Sequence, residues 1–236
     1  MTFLALAEMR GLNRTGVREN CLKIAISSYY EKHYLSKVLP DFQKDNSETT
    51  FLISEVMSDE GEQLLLAGKV NLAFIIAPVQ NCALRAQHVF SDQLVLIVPR
   101  VGGIAEKFSV PIGAPCSMGG LYKLKNEPFI APRQGRRLRK SIEMICKSAG
   151  FDPICAIETG DCSNIAELVR NGCGVGIIPN HVLTPNNRAE VFCYALDTPL
   201  SERKLMVCWD DQNVTVTSSS FVKYAVSKSC FSTEEF

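Results

Sequence analysis

The sequence has no net charge and few of the residues that build metal or catalytic sites. Its 25 Lys and Arg balance 25 Asp and Glu, and it has three His and one Trp. A balanced charge argues against a broad basic surface for nucleic acid. No apolar run approaches the ~20 residues of a transmembrane helix. These absences favour a globular protein whose own residues neither cross a membrane nor bind DNA.

Cysteine is abundant, but its spacing is not that of a metal site. The ten cysteines include no Cys-x-x-Cys, so the spacing typical of zinc sites is absent. The first residues, MTFLALAEMRG, have a short apolar run broken by Glu8 and no basic region, which makes a poor signal peptide. Reduced, mostly buried thiols fit better than a secreted disulfide framework. We therefore predict a cytoplasmic protein with no metal and no cofactor.

Recognisable catalytic motifs are also lacking. Gly-x-Gly-x-x-Gly does not occur, and His33, His88 and His181 fall in no known catalytic spacing. Each histidine is interpreted as a surface residue or as a core residue whose ring nitrogens are hydrogen-bonded. The paired carboxylates Asp210 and Asp211 are interpreted as solvated. The sequence therefore predicts that the chain is not an enzyme.

Strand and helix patterns alternate along the first hundred residues. Apolar, β-branched segments at Leu22–Ser27, Leu72–Pro78 and Leu94–Pro99 predict strands. Alternation of this kind predicts a parallel, doubly wound α/β sheet, in which ligands bind beyond the carboxyl ends of the strands. A chain of 236 residues suffices for one large domain or for two lobes of about 100 residues each.

The helices between these strands carry their own signals. In the first helix, Pro40 is expected to bend or restart the chain, because proline lacks the N–H that a helix interior uses. In the second helix, Asp59 and Glu62 have the spacing of a capping box.

The most informative stretch is Glu158–Pro179, which reads ETGDCSNIAELVRNGCGVGIIP. It predicts a strand, a helix and a second, buried strand, and the buried helix face follows the spacing of Ile165, Leu168, Val169 and Gly172. Asp161 or Ser163 is expected to cap the helix, and Gly172 to end it. The alternating glycines Gly172, Gly174 and Gly176 are expected to let helix and strand pack closely.

This stretch resembles the effector-binding (substrate-binding) domain of LysR-type transcriptional regulators. The matching residues are Glu158, Leu168-Val169, Gly172, Gly174-Val175 and Ile177-Ile178-Pro179. Other segments fall into the same register: LKIAIS, VLPDF, DQLVLIVP, and LLLAGKVNLAFI with Asn71 in place of the usual Asp. The resemblance runs from about residue 22 to the end. It implies two Rossmann-like lobes joined by two crossover strands, a fold like that of type 2 periplasmic-binding proteins.

The resemblance also implies a domain organisation and partners. Residues 1–21 would be a linker remnant, 22–100 the first part of lobe I, 101–198 lobe II, and 199–236 the return to lobe I. The winged helix-turn-helix head of the family has no counterpart here, so DNA would be bound only through such a head. A homodimer or tetramer is expected, with the helix after Ser28 and the helix after Arg136 as the pairing surfaces.

By family position, the residues that would bind a small-molecule effector lie at strand ends of both lobes. They are Ser27, Ser28, Met57, Ser58, Ala131, Arg133, Thr159 and Gly160. Hydroxyls and N–H groups at helix starts suit carboxylate or phosphate, although Ser27 and Ser28 are equally well explained as N-cap residues. Arg133 can pair a carboxylate in a bidentate fork. A small anion, most simply an organic acid, is the expected effector in a cleft between the lobes.

Two alternative functions remain at this point. The chain could be a free-standing solute-binding protein of the periplasmic type, or, less readily, an enzyme on the same scaffold. The basic run Arg133–Lys140 is interpreted first as a solvated face and second as a subunit contact. Cys146 matches one cysteine of the family's peroxide-sensing branch, but Arg137 stands where the reactive cysteine would be, so a structural role for the thiol is favoured.

Overall fold

The computed structural model describes residues 20–108 and 110–228. Most of the predicted linker remnant, residues 1–19, lies outside the described residues. The described chain forms two compact units. The first contains residues 20–90 and 204–228, and the second contains residues 91–108 and 110–203. The chain therefore passes from one unit to the other between Phe90 and Ser91, and again between Arg203 and Lys204.

The first unit is built on a mixed sheet with strand order β2-β1-β3-β9. Its strands are β1 (Cys21–Ile26), β2 (Thr50–Glu55), β3 (Leu72–Ile76) and β9 (Glu202–Trp209). The strands β1, β2 and β3 are parallel, whereas β9 runs antiparallel to β3. Every residue of β3 is buried, which explains its uninterrupted apolar sequence.

Four helical segments pack on this sheet. They are α1 (Ser28–Tyr30) with a π-helical turn (Glu31–Leu35), α2 (Ser36–Asp45), α3 (Ser58–Leu66) and α9 (Val216–Ser227). Regular helix restarts at Ser36, four residues before Pro40, whose missing N–H would have bonded the Ser36 carbonyl. Tyr34, Phe42 and Phe221 are buried in the core, and the rings of Phe42 and Phe221 lie 4.9 Å apart, edge to face.

The predicted capping box of α3 is wrong. The helix begins at Ser58, with Met57 as its N-cap residue and no side-chain cap. Glu62 therefore lies beyond the first turn, where no free helical N–H remains for it. Its buried carboxylate instead accepts the backbone amides of Gln80 and Asn81, at 3.1 and 3.0 Å, and holds the loop after β3.

The second unit has its own sheet, in which β8 and β7 both pair with β4. Its strands are β4 (Arg85–Pro99), β5 (Pro128–Pro132), β6 (Ile154–Thr159), β7 (Val175–Pro179) and β8 (Val191–Ala195). The strand β5 lies between β6 and β7 and is parallel to both. By contrast, β4 runs antiparallel to β7 and β8. The predicted parallel sheet is thus correct for β1, β2 and β3 and for β5, β6 and β7, and wrong for β4 and β9, which carry the chain from one unit to the other.

Five helices complete the second unit. They are α4 (Ile104–Phe108), α5 (Met118–Tyr122), α6 (Arg137–Ser148), α7 (Cys162–Arg170) and α8 (Pro185–Glu190). The longest, α6, buries one face, through Leu138, Ile142, Ile145 and Cys146. This face packs against Phe129 of β5 in the core of the unit.

The strand–helix–strand stretch that dominates the sequence forms as predicted, as β6, α7 and β7. Asp161 caps α7 by accepting the Ser163 amide at 2.9 Å, and Gly172, with φ of +81°, ends the helix turn. The expectation of close helix–strand packing holds for Gly176, where a Cβ atom would lie 2.7 Å from Ile165 of α7. Gly174 instead approaches the Pro128 carbonyl of β5.

Candidate functional site

Four of the eight predicted site residues follow parallel strands of the first unit. Ser27 and Ser28 come directly after β1, and Met57 and Ser58 come shortly after β2. The last residues of these strands, Ile26 and Glu55, are register partners. Both pairs of candidates therefore lie at the carboxyl edge of the same sheet.

The side chains at this edge differ in what they can offer a ligand. Ser27 is at the N-cap position of α1 but makes no side-chain cap, whereas Ser28 is exposed. The hydroxyl oxygen of Ser58 accepts the Ile76 amide at 3.3 Å, which leaves its O–H able to donate elsewhere. Met57 exposes its thioether side chain. The first unit thus presents hydroxyl donors and an apolar side chain at one edge.

The other four candidates lie at the ends of β5 and β6 in the second unit. Ala131 lies in β5 and Arg133 directly follows that strand, whereas Thr159 ends β6 and Gly160 directly follows it. The backbone N–H of Arg133 donates to the carbonyl of Thr159 at 3.1 Å, so the two ends are held together. Ala131 is fully buried and has only its backbone to offer.

The exposed groups of this second half are a guanidinium and polar loop atoms. The side chain of Arg133 is exposed at the end of β5. The hydroxyl oxygen of Thr159 accepts the Asp161 amide at 3.4 Å and the Asn164 side-chain amide at 3.3 Å. The structure thus brings the candidates together as one group in each unit. Their grouping around one ligand stays a prediction from the sequence.

Arg139 is a buried polar residue that sequence reasoning missed. Interpreting the basic run as a solvated face is wrong for this residue, which is only 5% exposed. Its Nε donates to Glu143 at 2.7 Å, and its Nη1 donates to Glu158 at 2.8 Å and to the Pro132 carbonyl at 3.1 Å. A signal was present, since Arg139 stands three residues before Ile142 and seven before Cys146, on the buried face of α6.

The surroundings of Arg139 keep it charged. Burial alone would lower its pKa, but the hydrogen bonds to Glu143 and Glu158 outweigh burial and raise the pKa of Arg139 above its usual value. One guanidinium therefore faces two carboxylates beneath the ends of β5 and β6.

An ion pair in which both side chains are buried joins β4 and β9. Arg203 donates from Nε and Nη2 to the two carboxylate oxygens of Asp92, at 2.8 and 2.5 Å, and both side chains are almost fully buried. The Nε2 atom of His181 lies 3.9 Å from the same carboxylate. The flanking residues pair as well, since Ser91 donates to Glu202 at 2.8 Å and Ser201 to Gln93 at 3.1 Å. These contacts connect seven residues: Ser91, Asp92, Gln93, His181, Ser201, Glu202 and Arg203.

Several buried or half-buried thiols of the second unit lie in surroundings that disfavour the thiolate. Burial raises the pKa of Cys146 to about 12 and the pKa of Cys116 and of Cys162 to about 11. Burial also raises the pKa of Cys155, although Arg139 opposes that shift. Since the thiolate is the reactive form, these cysteines are poor nucleophiles at neutral pH. This result supports a structural role for Cys146.

Within residues 20–108 and 110–228, no group of three His, Cys, Asp or Glu side chains has the geometry to hold a metal ion. Among the same residues, none of the helices is both long and apolar enough to cross a bilayer.

Comparison with known proteins gives a consistent result. A family model described as LysR substrate binding domain matches residues 16–227. Over 193 residues the chain is 23% identical to YwbI of Bacillus subtilis (strain 168), an uncharacterized HTH-type transcriptional regulator. That match includes 82% of this chain and 61% of YwbI, so the chain spans about three fifths of the length of this relative.

Two solved structures show the same fold at low sequence identity. One is the regulatory domain of Synechocystis PCC6803 CcmR in complex with 2-PG, with a TM-score of 0.75, 17% identity, and coverage of 90% of this chain and 98% of that one. The other is the effector binding domain of QuiR in complex with shikimate, with a TM-score of 0.72, 15% identity, and coverage of 89% and 96%.

Proposed function

We propose that this chain, which belongs to the LysR substrate binding domain family, is the ligand-sensing part of a transcriptional regulator and binds a small organic anion. DNA would be contacted by a winged helix-turn-helix region outside this chain, as the description of YwbI as an HTH-type regulator supports. A cytoplasmic location follows from that role and accords with the free cysteines of the described residues.

The observation that carries the proposal is the exposed guanidinium of Arg133 at the end of β5. Its backbone is tied to Thr159, so the charge stands beside the loop that begins α7. Guanidinium groups bind carboxylates through two parallel hydrogen bonds. Shikimate, the ligand named for QuiR, is a carboxylate, which supports an acid as the ligand class here. Binding would shift the balance between conformations that the regulator reads out.

Removing the Arg133 side chain should weaken binding of an organic acid. We expect Arg133→Ala to lose about 1.5–3 kcal/mol, or roughly tenfold to a hundredfold in affinity, because a charge-assisted bond is lost. Ser28→Ala should lose less, since backbone donors remain. The measurement is calorimetry with shikimate, benzoate, amino acids and organic cations on the parent and the variants.

Lys140→Ala is the matched control for this experiment, because it removes an exposed positive charge from the same basic run. Its affinity should stay near that of the parent if Arg133 acts through direct contact rather than through the general field. Binding of cations or neutral molecules alone, or equal acid binding by Arg133→Ala and the parent, would contradict the anion-binding proposal.

We also infer that the chain pairs with a second copy through the edges of its sheets. The edge strands β2 and β6 carry exposed apolar residues at Leu52 and Ile154, and Met144 on α6 is more than half exposed. Exposed apolar residues at a sheet edge favour association. The paired surfaces would combine these edges with the helices after Ser28 and after Arg136.

Sedimentation at tens of micromolar tests this pairing. The parent should sediment as a dimer or tetramer, and Met144→Glu with Ile154→Lys should shift it toward monomer, because buried charges would oppose the contact. Ile112→Lys, a change at an exposed apolar residue in a loop, serves as the control and should leave the parent's state unchanged. A parent that sediments only as monomer would refute the pairing.

A further inference from the structure

Arg139 contacts the residues next to two predicted ligand contacts. Its Nη1 bonds the carbonyl of Pro132, the residue before Arg133, and the carboxylate of Glu158, the residue before Thr159. Its Nε bonds Glu143 one helical turn further along α6. Arg139 therefore holds the ends of β5 and β6 at a single point.

Gln134, the residue after Arg133, contacts Glu143, which also pairs with Arg139. The side-chain amide of Gln134 donates to Oε1 of Glu143 at 3.5 Å, and this same oxygen accepts the Arg139 Nε. Arg139 thus anchors the chain before Arg133 through the Pro132 carbonyl at 3.1 Å, and the exposed Gln134 side chain adds only a weak contact after it, while the Arg133 side chain itself remains exposed. Such an arrangement leaves a side chain available to a ligand but fixes the backbone from which it extends.

The chemistry of the anchor requires a guanidinium. Three acceptors in different directions are bonded from two nitrogens of one planar group, and a lysine ammonium on a flexible stem does not reproduce this fork. Because Arg139 is almost fully buried, it is not an ion-pair partner for a ligand in solution. It instead neutralises Glu158, whose carboxylate would otherwise repel an anion near Thr159.

We propose that Arg139 is a positioning residue of the effector site: it fixes the strand ends that carry Arg133 and Thr159 and offsets the charge of Glu158. This inference rests on the proposed binding of a small organic anion. Arg139 would not touch the ligand itself. It would set the geometry of the groups that contact the anion and contribute to their preference for negative charge.

The test compares Arg139→Lys and Arg139→Gln with Arg170→Gln. Arg170 is a matched control, since it also bonds two carboxylates, Glu167 and Glu190, but it does so from the last residue of α7. Shikimate binding should weaken by about tenfold or more in both Arg139 variants, a loss like that seen when the outer-shell partners of metal-ligating residues are replaced. The loss should be larger for Gln, which removes the charge as well as the fork. Arg170→Gln should bind like the parent.

A second readout needs no ligand. Amide hydrogen exchange should accelerate at Arg133, whose N–H bonds Thr159, in both Arg139 variants, and it should not change in Arg170→Gln. The Ile145 amide in α6 reports whether the helix remains folded. A role limited to overall stability would accelerate exchange at Arg133 and Ile145 together, and this result would overturn the proposal.

A third substitution keeps the proposal testable if the Arg139 variants do not fold. Glu158→Ala removes an exposed carboxylate and frees the end of β6 from Arg139. It should accelerate exchange at Arg133, whose N–H donates to the Thr159 carbonyl, but not at Ile145, and unchanged exchange at Arg133 would overturn the positioning role. A parent that binds no acid would instead overturn the proposed function, so the two failures are distinguishable.

Discussion

Replacing Gly174 by alanine is expected to destabilise the second unit severely. Gly174 has φ of +150°, and a Cβ atom there would lie 2.2 Å from the carbonyl oxygen of Pro128. That oxygen belongs to β5, which is held between β6 and β7 and has little room to move. Backbone strain of about 1–3 kcal/mol and overpacking of about 1–3 kcal/mol add to roughly 2–6 kcal/mol. Typical domains have only about 5–15 kcal/mol of stability.

Urea unfolding of the variant and of a matched glycine substitution provides the measurement. Gly119→Ala is the control, because it lies inside α5 and a Cβ atom there would meet only the Ser117 hydroxyl, at 4.0 Å. This change should be neutral or should stabilise by up to about 1 kcal/mol, since alanine favours helix more than glycine does. If the free energy of unfolding of Gly174→Ala lies within roughly 0.5 kcal/mol of the parent value, the close approach of position 174 to Pro128 is wrong.

Local sequence signals were enough to predict the stretch that contains Gly174. The cap at Asp161, the periodic face of α7 and the stop at Gly172 all lie within a few residues of the structure they determine. The resemblance to LysR effector-binding domains, and with it the α/β fold like that of periplasmic-binding proteins, is confirmed by the family match and the solved structures. Signals of this kind survive low sequence identity because they specify backbone geometry.

Features that depend on distant partners were not predictable in the same way. The spacing of Asp59 and Glu62 is that of a capping box, yet Glu62 serves the amides of Gln80 and Asn81. Similarly, the apolar sequence of a strand does not indicate whether its neighbour runs parallel or antiparallel to it. The antiparallel pairing of β4 with β7 was therefore missed. Arg139 does lie on the buried face of α6. However, nothing in the basic run itself indicates that this arginine pairs with the carboxylates of Glu143 and Glu158.

The largest loss from an ion pair is expected when Arg203 is removed. Arg203→Ala leaves the Asp92 carboxylate almost fully buried without its two strong donors. Breaking a buried pair on one side typically costs about 3–5 kcal/mol, because the remaining charge keeps its desolvation penalty. The neutral pair Asp92→Leu with Arg203→Met should cost much less, since neither residue then buries a charge. Chemical denaturation of the single and double variants measures both effects.

Arg85→Ala provides the contrasting ion pair. Arg85 bonds Asp211 at 2.7 Å, between the 2.5 and 2.8 Å of the buried pair, but the two side chains are 67% and 57% exposed. Water and salt screen such a pair, so its loss should change stability little. The Arg203 and Arg85 variants therefore differ in burial more than in bond length. Equal losses of stability in Arg203→Ala and Arg85→Ala would mean that the burial of Asp92 does not determine the loss. If the double variant Asp92→Leu with Arg203→Met is no more stable than Arg203→Ala, the charge left on Asp92 is not the cause of the loss.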